Sequence, residues 1–129
     1  MNNNKTLKFS FRQFPLFQIH QNALLASKAS EAAALQGKFW EMHDKLFANP
    51  QKMEIDNLQQ YARELKLDMK RFNADVESRR FKTEVDEDIK AGRDAAVRGT
   101  PTFFINGKKL VGAQPFAEFQ KIIDSLPAQ

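Results

Sequence analysis

The first periodic pattern in the chain repeats every two residues. Leu7, Phe9 and Phe11 alternate with polar or charged neighbours, which is typical of a β-strand with one buried face. The alternation predicts a strand over the stretch LKFSFRQF, residues 7–14. Pro15 follows directly and should end this strand, because proline cannot donate a ladder hydrogen bond.

The apolar pattern then changes to a helical repeat. Asn22 and Asp68 stand where an N-cap is expected, and the step in apolar spacing between Val76 and Phe81 predicts two helices or a kink near residues 78–81. The predicted helical stretches are NALLASKASEAAALQ (22–36), KFWEMHDKLFAN (38–49), DNLQQYARELKL (56–67) and MKRFNADVESRRFKTEVDEDIKAGRDAAV (69–97).

The last part of the chain predicts a hairpin and a helix. The continuous apolar run 103–105 indicates a strand buried on both faces, and Asn106-Gly107 predicts a two-residue type I′ turn into the partner strand KKLVG. Pro115 suits the first position of a helix over PFAEFQKIIDSL. The predicted buried stripe of that helix is Phe116, Phe119, Ile122, Ile123 and Leu126.

The composition fits a single globular domain. The chain has 129 residues, of which 42% are hydrophobic and 28% charged. The formal net charge is +4, but basic and acidic residues are interleaved along the predicted helices, which indicates solvated faces and no nucleic-acid partner. No secretory signal or membrane-length apolar segment is visible. We therefore expect no membrane partner and, for the chain as given, a cytoplasmic location, or else an exported chain without its signal.

Reactive residue types are scarce. The chain has no cysteine, which excludes disulfides, thiolate nucleophiles and thiolate metal sites within these residues. No phosphate-binding glycine loop or G-x-S-x-G motif occurs, so we predict no catalytic residue, cofactor or metal ion. His20 and His43 are far apart, and His43 is predicted to be a structural histidine with one hydrogen bond. The acidic run 86–88 and the pair Arg79-Arg80 are predicted to be solvated.

Several stretches together resemble the DsbA-like thiol–disulfide oxidoreductases, a family with a thioredoxin fold. QGKFWEMHDKLF and GTPTFFING are the most specific, because they occur together at the expected separation, and the resemblance extends from Phe9 to Ile123. It implies an α/β, thioredoxin-like fold of DsbA type in one domain, residues 1–129. An inserted helical region would span 22–97, and a cis-proline loop, β-hairpin and C-terminal helix would span 98–126.

The resemblance also implies a substrate groove. Members of the family exchange disulfides with protein substrates through a Cys-x-x-Cys at the start of the first core helix. A proline, usually cis, faces that pair, and the backbone beside it binds an extended substrate segment. The resemblance places Pro101 at this position with Thr100 before it, so these two are the candidate substrate-groove residues.

One part of the family pattern is absent from this chain. In the family, a strand and the Cys-x-x-Cys helix precede the strand that LKFSFRQF resembles, whereas here only residues 1–6 precede it. The resemblance thus implies that the first β-α unit is missing and that strand edges are left unpaired. The remaining strands would pair directly, LKFSFRQF would take the central position, or a strand-swapped homodimer would form.

The residues and the family resemblance leave three functions possible. They do not decide whether the chain is an enzyme. It is a member or fragment of a DsbA-like oxidoreductase family, itself redox-inactive without cysteine. Alternatively, it is a binding module that captures extended protein segments at the Thr100-Pro101 groove. A third alternative is a non-redox relative similar to glutathione-using isomerases, which is the weakest because the key residue there also lies in the missing unit.

Overall fold

The chain divides into two compact units. The computed structural model describes residues 7–16 and 18–127. We call residues 1–12 with 92–129 the hairpin unit and residues 13–91 the helical unit. No helix in these described ranges is both long enough and apolar enough to cross a membrane. The elements are α1 Ala23–Ala34, α2 Phe39–Ala48, α3 Ile55–Glu64, α4 Met69–Glu77, α5 Arg79–Asp94, β1 Thr102–Ile105, β2 Lys108–Val111 and α6 Phe116–Asp124.

The helical unit is built around α1, which packs against α2, α3 and α4. The buried side of α1 consists largely of alanine, and Ala29, Ala32 and Ala33 are fully buried. These small side chains leave room for large ones from neighbouring helices, since protein interiors are close-packed. The largest fully buried side chains of the described residues are Phe72, Phe81, Met42, Leu58 and Val85.

The helix boundaries in this unit follow local sequence signals. The Asp68 side chain accepts a hydrogen bond from the backbone N–H of Arg71 at 3.1 Å, which confirms the predicted N-cap of α4. Asn22 stands at the N-cap position of α1, but its side chain makes no capping hydrogen bond. The predicted break is confirmed at Ser78, whose extended backbone separates α4 from α5.

The hairpin unit contains the antiparallel pair of β1 and β2. The turn residues Asn106 and Gly107 have φ angles of 48° and 85°, the left-handed values that a type I′ turn requires, so the predicted hairpin is confirmed. Phe103 and Phe119 meet edge to face at 4.7 Å between ring centroids, which packs α6 against one face of the pair. Pro115 is the N-cap of α6 and not its first helical residue, so the helix begins at Phe116, one residue later than predicted.

Three expectations about apolar positions are wrong. Residues 7–14 form no strand, and the sheet of the described residues consists of β1 and β2 alone. Alternation of apolar residues describes one face of a chain and does not by itself place that chain in a sheet. LKFSFRQF is therefore not a strand of this sheet and does not take its central position. β1 is not buried on both faces, since Phe104 is 49% exposed, and the first residue of the predicted α6 stripe, Phe116, is 63% exposed.

Candidate functional site

The loop before β1 carries the two candidate groove residues, and both are exposed. The peptide bond between Thr100 and Pro101 is cis. The carbonyl of Pro101 accepts a hydrogen bond from the N–H of Gly112 at 2.8 Å, and the Thr102 hydroxyl donates to the carbonyl of Gly99 at 2.7 Å. The loop is thus fixed to the start of β1 and to the end of β2.

The register of the hairpin determines which backbone groups face outward. Thr102 is opposite Val111, and Phe104 is opposite Lys109. Because Pro101 and Gly112 form a hydrogen-bonded pair, the next pair, Thr102 with Val111, does not, and the alternation continues along the strands. The N–H and C=O groups of Thr102 and Phe104 therefore point away from β2.

We call these four groups the outer edge of β1. No other strand of the described residues pairs with this edge, since the sheet there contains two strands. An unpaired row of N–H and C=O groups is a template on which an extended chain can add as a further strand. The edge begins directly after Thr100 and Pro101, so the candidate groove residues and the outer edge form one continuous surface.

The two faces of the hairpin differ. Opposite residues share a face, so Phe103, Ile105, Lys108 and Leu110 form the helix-covered face on which α6 packs. Thr102, Phe104, Lys109 and Val111 form the open face. Phe104 and Val111 on the open face are 49% and 56% exposed, so an added strand would find apolar surface beside the outer edge.

His43 lies on α2 in the helical unit. Its Nδ1 is 3.0 Å from a carboxylate oxygen of Asp44, and its structural role stays a prediction. Its ring also continues an aromatic row along the helix, at 5.2 Å from Trp40 and 4.4 Å from Phe47 between centroids. No group of acidic, histidine or cysteine side chains suited to a metal ion occurs in residues 7–16 and 18–127.

The acidic run on α5 has a structural role that the sequence did not predict. Asp88 is half-buried, and its carboxylate accepts a hydrogen bond from the backbone N–H of Gln13 at 2.9 Å. The side-chain amide of Gln13 donates in turn to Ser30 at 2.8 Å and to Glu31 at 3.0 Å. Gln13 thereby ties α1 to α5. Nothing in the local pattern marks this contact, which joins residues 75 positions apart.

These contacts change the electrostatics of Glu31. Burial raises the pKa of its carboxyl above the ordinary value, and the hydrogen bond from Gln13 opposes that rise. The nearby negative charges of Glu84 and Asp88 raise the pKa further.

Arg79 and Arg80 are exposed, as predicted, and Arg80 pairs with Glu84 at 3.6 Å.

Comparison with known proteins identifies the family of this chain. Residues 2–124 match the model of the DSBA-like thioredoxin domain. The chain is 40% identical over 104 residues to the Na(+)/H(+) antiporter NhaA 3 of Salinispora tropica, which is 81% of this chain and 16% of that protein. It is 35% identical over 121 residues to the Na(+)/H(+) antiporter NhaA 1 of Mycolicibacterium gilvum, which is 92% of this chain and 20% of that protein.

The chain spans only about a sixth to a fifth of the length of these curated relatives. The family model covers nearly all of this chain, and the mixture of helices with a β-hairpin fits an α/β, thioredoxin-like fold. The resemblance seen in the sequence is thus confirmed at the level of the family: the chain belongs to the DSBA-like thioredoxin domain family.

Proposed function

We propose that this chain binds an extended polypeptide segment along the outer edge of β1, beside Thr100 and Pro101, and performs no disulfide exchange by itself. The observation that carries the proposal is the outward direction of the N–H and C=O groups of Thr102 and Phe104. A segment added there would pair with both residues, and main-chain hydrogen bonds supply affinity in this mode of recognition. The exposed side chain of Phe104 would cover part of the added strand.

The absence of cysteine supports the non-redox part of the proposal. Thiol–disulfide exchange begins with attack by a thiolate on a disulfide sulfur and passes through a mixed disulfide. None of the 129 residues can supply that thiolate. Peptide capture needs only the backbone edge, so this part of the family's function does not depend on cysteine.

The test uses a neutral probe peptide of nine residues in which valine and glutamine alternate. We expect it to bind the 129-residue chain, measured by fluorescence anisotropy with an uncharged dye. The amides of Thr102 and Phe104 should become protected from hydrogen exchange when the peptide binds. Absence of binding, or binding that leaves both amides unprotected, would contradict the proposal.

Two proline variants provide a matched comparison at the two edges of the hairpin. Phe104→Pro removes an outward N–H from β1, and Val111→Pro removes one from the opposite edge, on β2; neither N–H is used between the strands. We expect Phe104→Pro to weaken peptide binding about tenfold or more and Val111→Pro to change it little. Circular dichroism checks that both variants fold, and equal losses in two folded variants would count against the β1 edge.

A second candidate is disulfide exchange by a longer protein of which this chain is a part. It is favoured by the match of residues 2–124 to the DSBA-like thioredoxin domain, and the chain spans only a small share of its matched relatives. In an insulin reduction assay we expect no turnover by the 129-residue chain. Turnover by a longer natural product that carries this sequence and a Cys-x-x-Cys would support the second candidate. The strand-swapped homodimer that the resemblance implies stays a prediction, and sedimentation of the purified chain tests it.

A further inference from the structure

We infer that the segment bound along the outer edge of β1 is acidic, an inference that rests on the proposed function and names its ligand class. The charge around the hairpin has one sign. From Ala95 to Ala117 the sequence contains Arg98, Lys108 and Lys109 and no acidic residue. The hairpin unit as a whole has eight Lys and Arg against three Asp and Glu, whereas the helical unit has twelve against thirteen.

Within the part of the chain that the structure describes, no ion pair includes Arg98, Lys108 or Lys109. The Nζ of Lys109 donates to the carbonyl of Ala96 at 2.7 Å, a neutral acceptor that leaves the positive charge uncompensated. In the helical unit, by contrast, lysines meet acids, as in the pair of Lys82 with Asp86 at 2.9 Å.

The geometry of an added strand brings acidic side chains within range of the two β2 lysines. Neighbouring strands lie about 4.8 Å apart, so the backbone of an added strand would be about 10 Å from β2. That separation is about one Debye length in 0.1 M salt and well within it at lower ionic strength. Lys109 belongs to the open face and Lys108 to the helix-covered face. An acidic residue on either face of the added strand would therefore lie on the same face as one of these lysines.

The same charge argues against two other occupants of the edge. A second copy of this chain would bring another hairpin unit with a net charge of +5, and like charges at an interface oppose association. An anionic membrane would match the charge but offers no row of alternating donors and acceptors to the groups of Thr102 and Phe104. An acidic, extended polypeptide satisfies both the charge and the hydrogen bonds.

The experiment compares three peptides on the full 129-residue chain: the neutral probe and two versions in which every glutamine is replaced by glutamate or by lysine. We expect the glutamate peptide to bind about tenfold or more tightly than the lysine peptide in 50 mM salt, and the ratio to shrink in 500 mM salt. Equal affinities, or tighter binding of the lysine peptide, would overturn the inference while peptide binding itself stands. Binding of none of the three would overturn the proposed function as well.

Two charge reversals test whether the hairpin lysines cause the preference for the glutamate peptide. Lys108→Glu changes the hairpin, and Lys70→Glu makes an equal charge change at an exposed residue of α4 in the helical unit. We expect Lys108→Glu to reduce the preference for the glutamate peptide at least threefold and Lys70→Glu to leave it nearly unchanged. Equal effects of the two variants would show a general charge effect and overturn the inference. Binding of phosphatidylglycerol vesicles in place of the glutamate peptide would also overturn it.

Discussion

The helical unit buries many more of its apolar side chains than the hairpin unit does. All buried hydrophobic residues of the described ranges lie in the helical unit, with the exception of Ile123. Among the residues that the structure describes, the hairpin unit exposes six large hydrophobic side chains, whereas the longer helical unit exposes five. The six in the hairpin unit are Leu7, Phe9, Phe11, Phe104, Val111 and Phe116.

This difference bears on where a partner would act. Several close-packed helices bury a contiguous core, which supplies most of the stability of a domain. A two-stranded hairpin with one helix buries little, and such hairpins are marginally stable by themselves. We infer that the helical unit supplies most of the stability, whereas the hairpin unit keeps the edge and the apolar surface that a bound segment would cover.

The substitution with the largest expected effect tests whether the helical unit supplies most of the stability. Phe72 on α4 is fully buried in the helical core, so Phe72→Ala removes its contacts and leaves a cavity. We expect the free energy of unfolding to fall by about 3–5 kcal/mol, measured by urea denaturation followed by circular dichroism. If that variant does not fold, Phe72→Leu should show a smaller loss of the same sign.

The matched control is the same substitution in the hairpin unit. Phe104→Ala removes a ring that is already half exposed, and we expect a loss below about 1 kcal/mol. The two variants remove the same side chain, one fully buried in the helical unit and one half exposed in the hairpin unit. Equal losses would show that the hairpin unit contributes as much stability as the helical core and would break the comparison.

A smaller effect is expected at a helix end of the helical unit. Asp68→Ala removes the acceptor for the Arg71 N–H, and we expect a loss of about 1 kcal/mol in the same measurement. Asn22→Ala is the control, because Asn22 occupies the same position of α1 without a side-chain capping bond. If both variants lose the same free energy, the capping bond of Asp68 is not the source of the effect.

Local signals were sufficient for most of the helical unit and for the hairpin turn. The cap at Asp68, the break at Ser78 and the turn at Asn106-Gly107 each depend on a few neighbouring residues, so the sequence predicts them. The candidate residues Thr100 and Pro101 came from family resemblance, and the outer edge of β1 came from the register of the hairpin. Which backbone groups point outward depends on the register of the two strands, and the pattern of side chains in the sequence does not give that register.

The errors have one physical origin, which is that periodicity says nothing about partners. The alternation over residues 7–14 is genuine, but no strand of the described sheet pairs with it. Phe104 stands in an apolar run, yet its side chain is half exposed, because an apolar run does not specify what packs on each face of a strand. The link from Gln13 to Asp88 connects distant residues, and no pattern in a single sequence reports such a contact.

The smallest expected effect concerns the polar contacts of the helical unit. Burial, with the nearby charges of Glu84 and Asp88, raises the folded-state pKa of Glu31 above its ordinary value of 4.5. Folding therefore disfavours the ionised carboxylate. Below the unfolded-state pKa, Glu31 is protonated in both the folded and the unfolded chain and does not destabilise the fold. As the pH rises from that value through the folded-state pKa, the carboxyl ionises and the destabilisation grows.

Glu31→Gln should abolish this pH dependence. The amide oxygen of the new side chain can still accept the hydrogen bond from Gln13, so the variant removes the charge and keeps the contact. We expect the variant to be more stable than the parent at pH 7 and to lose that advantage as the pH falls to about 4, measured by urea denaturation. Glu87→Gln, at an exposed position of α5, is the control. An advantage of Glu31→Gln that is the same at both pH values would show that packing, and not the buried charge, determines the difference.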